Sequence, residues 1–472
     1  MKNKFLILNL LLLFILGACS DDDTKTTQEF VVAFENPSVS FSTEEDSKDI
    51  VLVFSRAATE SGEATVTYTT VNAVYDTDFA TVPVATTETI TVPIVSGTSS
   101  STFTFNKLQN PVEGTEMSVT FKLGSISNPE SSVQGNTSLV ANFTESAALG
   151  GVIAAEVGGA NEPNQVYVDL SSQTQTAIKR DTWDLGFYSG DEFRVVLNGA
   201  VYMATKALEG TDIDAVSEAD VTALQSVVSV GTRGPSGAES INYIDAPSGD
   251  LSRTAISEVS EDDADNKVYL LNLGSEIGTD TPENGSVDIT DDSRGWKKIK
   301  INRDGDNYVL QYADLNETTH KEVTISKTFG YNYTHFSFTN ENSVSVEPMA
   351  TKWDLNFTVF TNEIPGFGAY GYADFVATNL KSGAKAYQVS TEDFTYENFS
   401  VEDIDDASFI EDQRGIGSNW RNGGGPNSLP SLKSGVFFVL QDAEGNFYKI
   451  RFTAFLSESG ERGYPAFEYA LL

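Results

Sequence analysis

Cysteine is almost missing from this chain, occurring once in 472 residues, at position 19. A single thiol excludes internal disulfides and thiolate metal clusters, so the fold has to rest on hydrophobic cores. Histidine is nearly as scarce, with only His320 and His335. Two imidazoles offer little for an acid–base relay, and neither a Gly-x-Ser-x-Gly elbow nor a His-Glu-x-x-His pair is present. Acidic runs such as Glu261-Asp262-Asp263 and Asp291-Asp292 read as solvated loops, because no carboxylate pair stands out among 68 Asp and Glu. The sequence is therefore read as non-enzymatic. Positive charge is also short, 30 Lys and Arg giving a formal net charge of −38. Such an imbalance repels phosphate backbones and excludes nucleic acid as a partner. Beyond residue 16 no apolar run approaches the roughly 20 residues that a spanning helix needs.

What is present begins at the N-terminus. Lys2 and Lys4 precede an apolar run from Phe5 to Leu16 that closes in Leu16-Gly17-Ala18-Cys19. This is the layout of a signal peptide, too short to span a bilayer. The closing motif resembles a lipobox, which implies that residues 1–18 are removed and that Cys19 is acylated, palmitate included, as the sole membrane anchor. Losing Lys2 and Lys4 leaves 28 basic against 68 acidic residues, a mature net charge of −40. Residues 19–29 form an acidic tether, and Ser20-Asp21-Asp22-Asp23 resembles the surface-export signal of Bacteroidetes lipoproteins. That likeness implies an outer-membrane protein displayed at the cell surface.

The remainder reads as all-β: an N-terminal β-sandwich followed by two related antiparallel β modules with minor helices. Between residues 30 and 146, alternation such as Thr65-Val66-Thr67-Tyr68-Thr69 marks strands with one buried face, and turn signals recur every ten or so residues. The segments Val66 to Phe79 and Asn110 to Leu123 resemble Calx-beta domains. In that family acidic loop residues bind calcium, and Asp78, Glu113 and Glu116 fall on matching positions. Much of the family's aspartate-rich second loop is replaced here by Asn106-Lys107-Leu108-Gln109, whereas a calcium cage needs six to eight oxygens. The plainer reading is a spacer domain.

After the small-residue seam Ala147 to Gly151 the chain repeats itself. Val166 to Phe187 matches His335 to Phe357, each a strand, a polar turn, a second strand and then Trp-Asp-Leu-x-Phe. Lys298 to Asn316 matches Val436 to Ser457, with Asp304-Gly305 and Glu444-Gly445 supplying the positive φ of hairpin turns. Two modules are expected, 147–330 and 331–472. Ser217-Glu218-Ala219-Asp220 before Val221, Leu224 and Val228 predicts one capped amphipathic helix. Trp183-Asp184 and Trp353-Asp354 are expected to be core anchors, each indole near a hydrogen-bonded carboxylate.

Trp-Asp-Leu-x-Phe, the stretch Arg414 to Trp420, the hairpin Val436 to Phe452 and the terminal Phe467-Glu468-Tyr469-Ala470-Leu471-Leu472 together resemble the HmuY family. The resemblance covers Gly150 to Leu472 as two copies. It implies haem as cofactor or cargo, a host haemoprotein as donor and a TonB-dependent receptor as acceptor. It also implies His or Met ligation near the Trp-Asp strand, where this chain has Tyr188 and Thr358. Met203 is the best-placed ligand candidate, with a core methionine as the alternative, and Tyr188 is its rival. Met349 and His335 complete the set, read otherwise as ordinary packing and as a solvent-facing strand histidine, since alternation puts Phe336 and Phe338 on the opposite face. The competing function is a surface adhesin, a glycan- or protein-binding lipoprotein without haem.

Overall fold

The computed structural model describes residues 30–41, 46–112, 117–129, 131–143, 150–232, 234, 236–424 and 429–472. Cys19, the tether, Glu113, Glu116 and most of the small-residue seam lie outside them. The described residues fall into two compact units, one of those between 30 and 111 and between 117 and 143, the other of residue 112 and those between 150 and 472.

The first unit packs two five-stranded sheets face to face. Alternation builds it. In Gly62–Val71, Ala64, Val66 and Tyr68 point inward, and in Ser100–Lys107, Phe103 and Phe105 do the same. Phe41, Phe79, Phe105 and Phe121 fill the space between the sheets, where each buried ring contributes a few kcal/mol by leaving water.

The second unit is also β-rich, and its two copies interlock. The first hairpin, Asn164–Asp169 with Thr174–Lys179, pairs with the second copy's Trp-Asp strand, Leu355–Ile364. Reciprocally, the second hairpin, Tyr333–Ser337 with Asn342–Val344, pairs with the first copy's Trp-Asp strand, Leu185–Tyr188. Tyr167 thus faces Asn356 across one ladder, and His335 faces Gly186 across the other. Exchange satisfies the edge of each hairpin and buries Val166 and Val168 with Leu355 and Phe357, and Leu185 and Phe187 with Phe336 and Phe338. Two free-standing modules would leave those edges and apolar faces in water.

Two five-stranded sheets flank this exchange. One runs Ala204–Ala207, Val268–Asn272, Trp296–Asp304, Asn307–Ala313 and Lys321–Ile325, and the other runs Gly150–Ala154, Arg462–Leu471, Phe447–Leu456, Val436–Gln441 and Lys385–Ser390. Gly305 and Gly445 take φ of 58° and 93° in their hairpin turns, as expected. The helix Glu218–Gln225 carries the predicted capping box between Ser217 and Asp220. Among the described residues the second copy has two short capped 3-10 turns at the corresponding place, Val401–Asp403 behind Ser400 and Asp406–Ser408 behind Asp405.

Candidate functional site

Where the exchanged hairpins meet, the two Trp-Asp elements converge on one cavity of about 200 Å³. The indoles of Trp183 and Trp353 are each 9% exposed and share one apolar cluster with Tyr167 and Val346. Their surroundings are related pairwise. Tyr167 meets Trp353 edge to face with ring centres 4.9 Å apart, and His335 meets Trp183 likewise at 4.7 Å. His335 therefore occupies the place that the first copy gives to Tyr167.

The aspartates anchor the exchange. Asp184 Oδ2 accepts from Phe338 N at 2.7 Å, and Asp354 Oδ2 accepts from Leu170 N at 2.9 Å. Each bond ties one copy's Trp-Asp element to the end of the other copy's hairpin strand. Asn198 and Asn379 brace the same turns, donating from Nδ2 to the carbonyls of Trp183 and Trp353. One departure from expectation concerns the indoles, because neither Trp183 Nε1 nor Trp353 Nε1 has a hydrogen-bond partner.

Those two are not alone. Gln165 Nε2, Asn356 Oδ1 and Thr378 Oγ1 are also buried and unpartnered, and all five residues line the cavity. A buried polar atom left unpaired costs about 1–3 kcal/mol, so five around one space mark a place where something else completes the bonding. Two ionisable groups of the wall are held neutral, and others bond backbone groups. Burial pushes His335 down to about 3 and Glu347 up to about 8, the latter against a hydrogen bond from Tyr333 N at 2.7 Å. Both oxygens of Asp245 accept backbone N–H groups, from Leu197 and Ala255, and the Lys381 ammonium donates to the carbonyl of Gly249.

Residues 161–328 and 329–469 each match the sequence model of the HmuY protein family. The chain belongs to the HmuY family. No curated protein matches it. Among solved structures it is similar to the apo Calx CBD1 domain, at 10% identity over 25% of this chain and 98% of that one, with a TM-score of 0.22. It is also similar to a Bacteroides ovatus protein described as a candidate carbohydrate binder, at 11% identity over 74% and 97% of the two chains, with a TM-score of 0.21. A two-domain Bacteroides fragilis protein of unknown function aligns at 8% identity over 42% and 77%, with a TM-score of 0.21.

Within this HmuY chain the four ligand candidates separate. Met203 is 1% exposed, packs in the core and lines the cavity. His335 lines it too, and at 5% exposure it is not the solvent-facing histidine that alternation suggested. Alternation was right about opposite faces, but the second face is covered by Trp183 rather than by water. Tyr188 sits outside the lining, its ring 5.8 Å from that of Tyr333, and burial raises its phenol, which opposes a tyrosinate ligand. Met349 is 47% exposed, a surface residue rather than packing, and does not line the cavity. In the sandwich, Asp78 Oδ2 accepts from Val74 N at 2.7 Å, closing a local turn. Among the described residues no group of three or more His, Cys, Asp or Glu could hold a metal ion.

Haem, the group implied by family resemblance, meets this site in part. A neutral imidazole and a thioether are sound axial ligands, and both are on the wall. The volume of about 200 Å³ is the obstacle, being under the roughly 300–1,000 Å³ of pockets that bury drug-sized ligands. A porphyrin is larger than many of those ligands, and it does not fit the cavity in this shape. Sequence reasoning missed Gln165, Tyr167, Asn356 and Thr378. Their only signal was polar or aromatic character on the strand face opposite a core, which reads as solvent until the partner hairpin is placed.

Proposed function

We propose that this chain is a lipid-anchored, cell-surface HmuY-family protein that captures a ligand in the cavity between its two copies, without catalysis. The observation that carries the reading is the group of five buried, unpartnered polar side chains on one cavity wall. Binding residues held this way lower stability in the free protein, which gives a direct test. Thr378→Val replaces an unpartnered hydroxyl with a methyl of the same shape, and we expect it to raise stability by about 1 kcal/mol in urea unfolding. A loss of stability instead would mean that the hydroxyl already serves the fold, and the binding reading would lose its support.

Haem is the second reading, favoured because His335 and Met203 line the same space. Binding there would require the surrounding wall to widen, and delivery to a TonB-dependent receptor would follow the family pattern. Calcium at Asp78, Glu113 and Glu116 is a separate proposal resting on the Calx-beta resemblance alone. Anchoring rests on Cys19. Cells fed a labelled fatty acid should label the wild-type chain and leave Cys19→Ala unlabelled, and equal labelling of the two would remove the anchor.

A further inference from the structure

The cavity's chemistry selects a class of ligand, an inference that rests on the binding reading above. Its size comes first. About 200 Å³ equals the liquid volume of about seven waters, which suits a single saturated or aromatic ring with substituents.

Charge comes next. With His335 and Glu347 both uncharged near neutral pH, the part of the wall that they form offers an ion no counter-charge. The charged groups of the lining, Asp245, Asp250 and Lys381, each bond backbone groups, of Leu197 and Ala255, of Ser252 and of Gly249 respectively. Transfer of a phosphate, carboxylate or ammonium from water to the uncharged part of the wall, beside His335 and Glu347, would be uncompensated there. The surroundings of the unpartnered groups therefore favour a neutral ligand over an ion.

Hydrogen-bonding capacity then narrows the neutral ligands. The unpartnered wall groups are of both kinds: indole N–H donors on Trp183 and Trp353, the donor Nε2 of Gln165, the acceptor Oδ1 of Asn356, and a hydroxyl on Thr378 that can do either. A ligand that only accepts, such as an ether or ketone, would leave acceptors of the wall unsatisfied. Hydroxyl groups donate and accept together. The aromatic rings of Tyr167, Trp183 and Trp353 complete the wall with apolar surface for the carbon–hydrogen face of a ring.

We propose that the cavity formed by Gln165, Tyr167, Trp183, Trp353, Asn356 and Thr378 binds one neutral, polyhydroxylated ring, a monosaccharide unit. Entry of the sugar exchanges its hydration for these waiting donors and acceptors.

Intrinsic fluorescence tests this on the full chain in detergent, since Trp183 and Trp353 are among its four tryptophans. The probes are D-glucose, D-galactose, D-mannose and N-acetyl-D-glucosamine, with glucuronate and glucosamine as charged counterparts and haemin as the competing ligand. At least one neutral sugar should cause a saturable change, bound at least tenfold more tightly than either charged counterpart. Asn356→Leu, which removes one amide from the wall, should weaken that binding about tenfold. The same variant should leave the urea midpoint unchanged or raised, which separates lost binding from lost fold. Failure of all four neutral sugars to saturate, or equal binding of the charged pair, overturns the proposal. If haemin then gives a saturable Soret shift that His335→Ala abolishes, the cavity remains a binding site and only the ligand class was wrong. Silence from the sugars and haemin alike takes the cavity reading down with it.

Discussion

Asp184→Ala is expected to destabilise the 150–472 unit by about 3–5 kcal/mol, whereas Asp354→Asn should change its stability by less than about 1 kcal/mol. The two residues stand at equivalent places of the repeat, and the contrast comes from what each substitution leaves for the partners. Asp184 has a fully buried side chain that accepts from Phe338 N and from Arg294 Nη2, both at 2.7 Å. Its removal strands a guanidinium with a side chain only 10% exposed, together with a backbone N–H. The side chain of Asp354 instead accepts from a neutral backbone donor, Leu170 N. Burial, opposed by the Leu170 N–H and aided by the acidic neighbours Asp169, Asp442 and Glu444, raises its carboxyl well above the usual range. An amide oxygen in its place keeps the Leu170 bond, and the side chain stays neutral, as the raised carboxyl already is. Urea unfolding followed by tryptophan emission isolates this unit, because Trp183, Trp296, Trp353 and Trp420 all lie within it. Equal losses in the two variants would refute the asymmetry.

Stability should also fall as pH rises from about 6.5 to above 8. Burial, reinforced by the neighbouring Asp374 carboxylate, pushes Glu162 up to about 8, and burial does the same to Glu347. In the unfolded chain both would titrate near 4.5. A folded state that keeps protons the unfolded state has released is most favoured below the unfolded value. That advantage is lost as pH climbs through about 8, with each carboxyl contributing on the order of 2–4 kcal/mol. His335 acts at the other end. Its folded value of about 3 lies below the unfolded 6.5, so its contribution is present above 6.5 and is lost as pH falls. Above 6.5 the carboxylates act without it. Thermal melts of Glu347→Gln should show a shallower decline between pH 6.5 and 8.5 than wild type, while Glu209→Gln, a change at an exposed position, should not. An unchanged slope in Glu347→Gln would mean that this carboxyl is ionised in the folded protein at neutral pH.

The sandwich, the hairpins and the repeat were legible because each depends on short-range pattern. Period-two alternation in Gly62–Val71 dictates which residues face the core, and only a glycine takes the positive φ at positions 305 and 445 without strain. Self-similarity placed Trp183 beside Trp353 in role, and burial agrees. Partner choice was not legible, because the first hairpin's edge pairs as well, by local rules, with its own Trp-Asp strand as with one almost 190 residues away. Long-range burial of Val166 and Val168 against Leu355 and Phe357 decided that contest. The fate of His335 followed from it. Alternation set the histidine opposite Phe336, yet only the exchanged packing replaced water on that face with Trp183, leaving a neutral imidazole on a polar cavity wall. Sequence determined which faces exist, and tertiary structure decided what each face meets, since a face's partner is set by the total area buried across the whole unit rather than by any local residue.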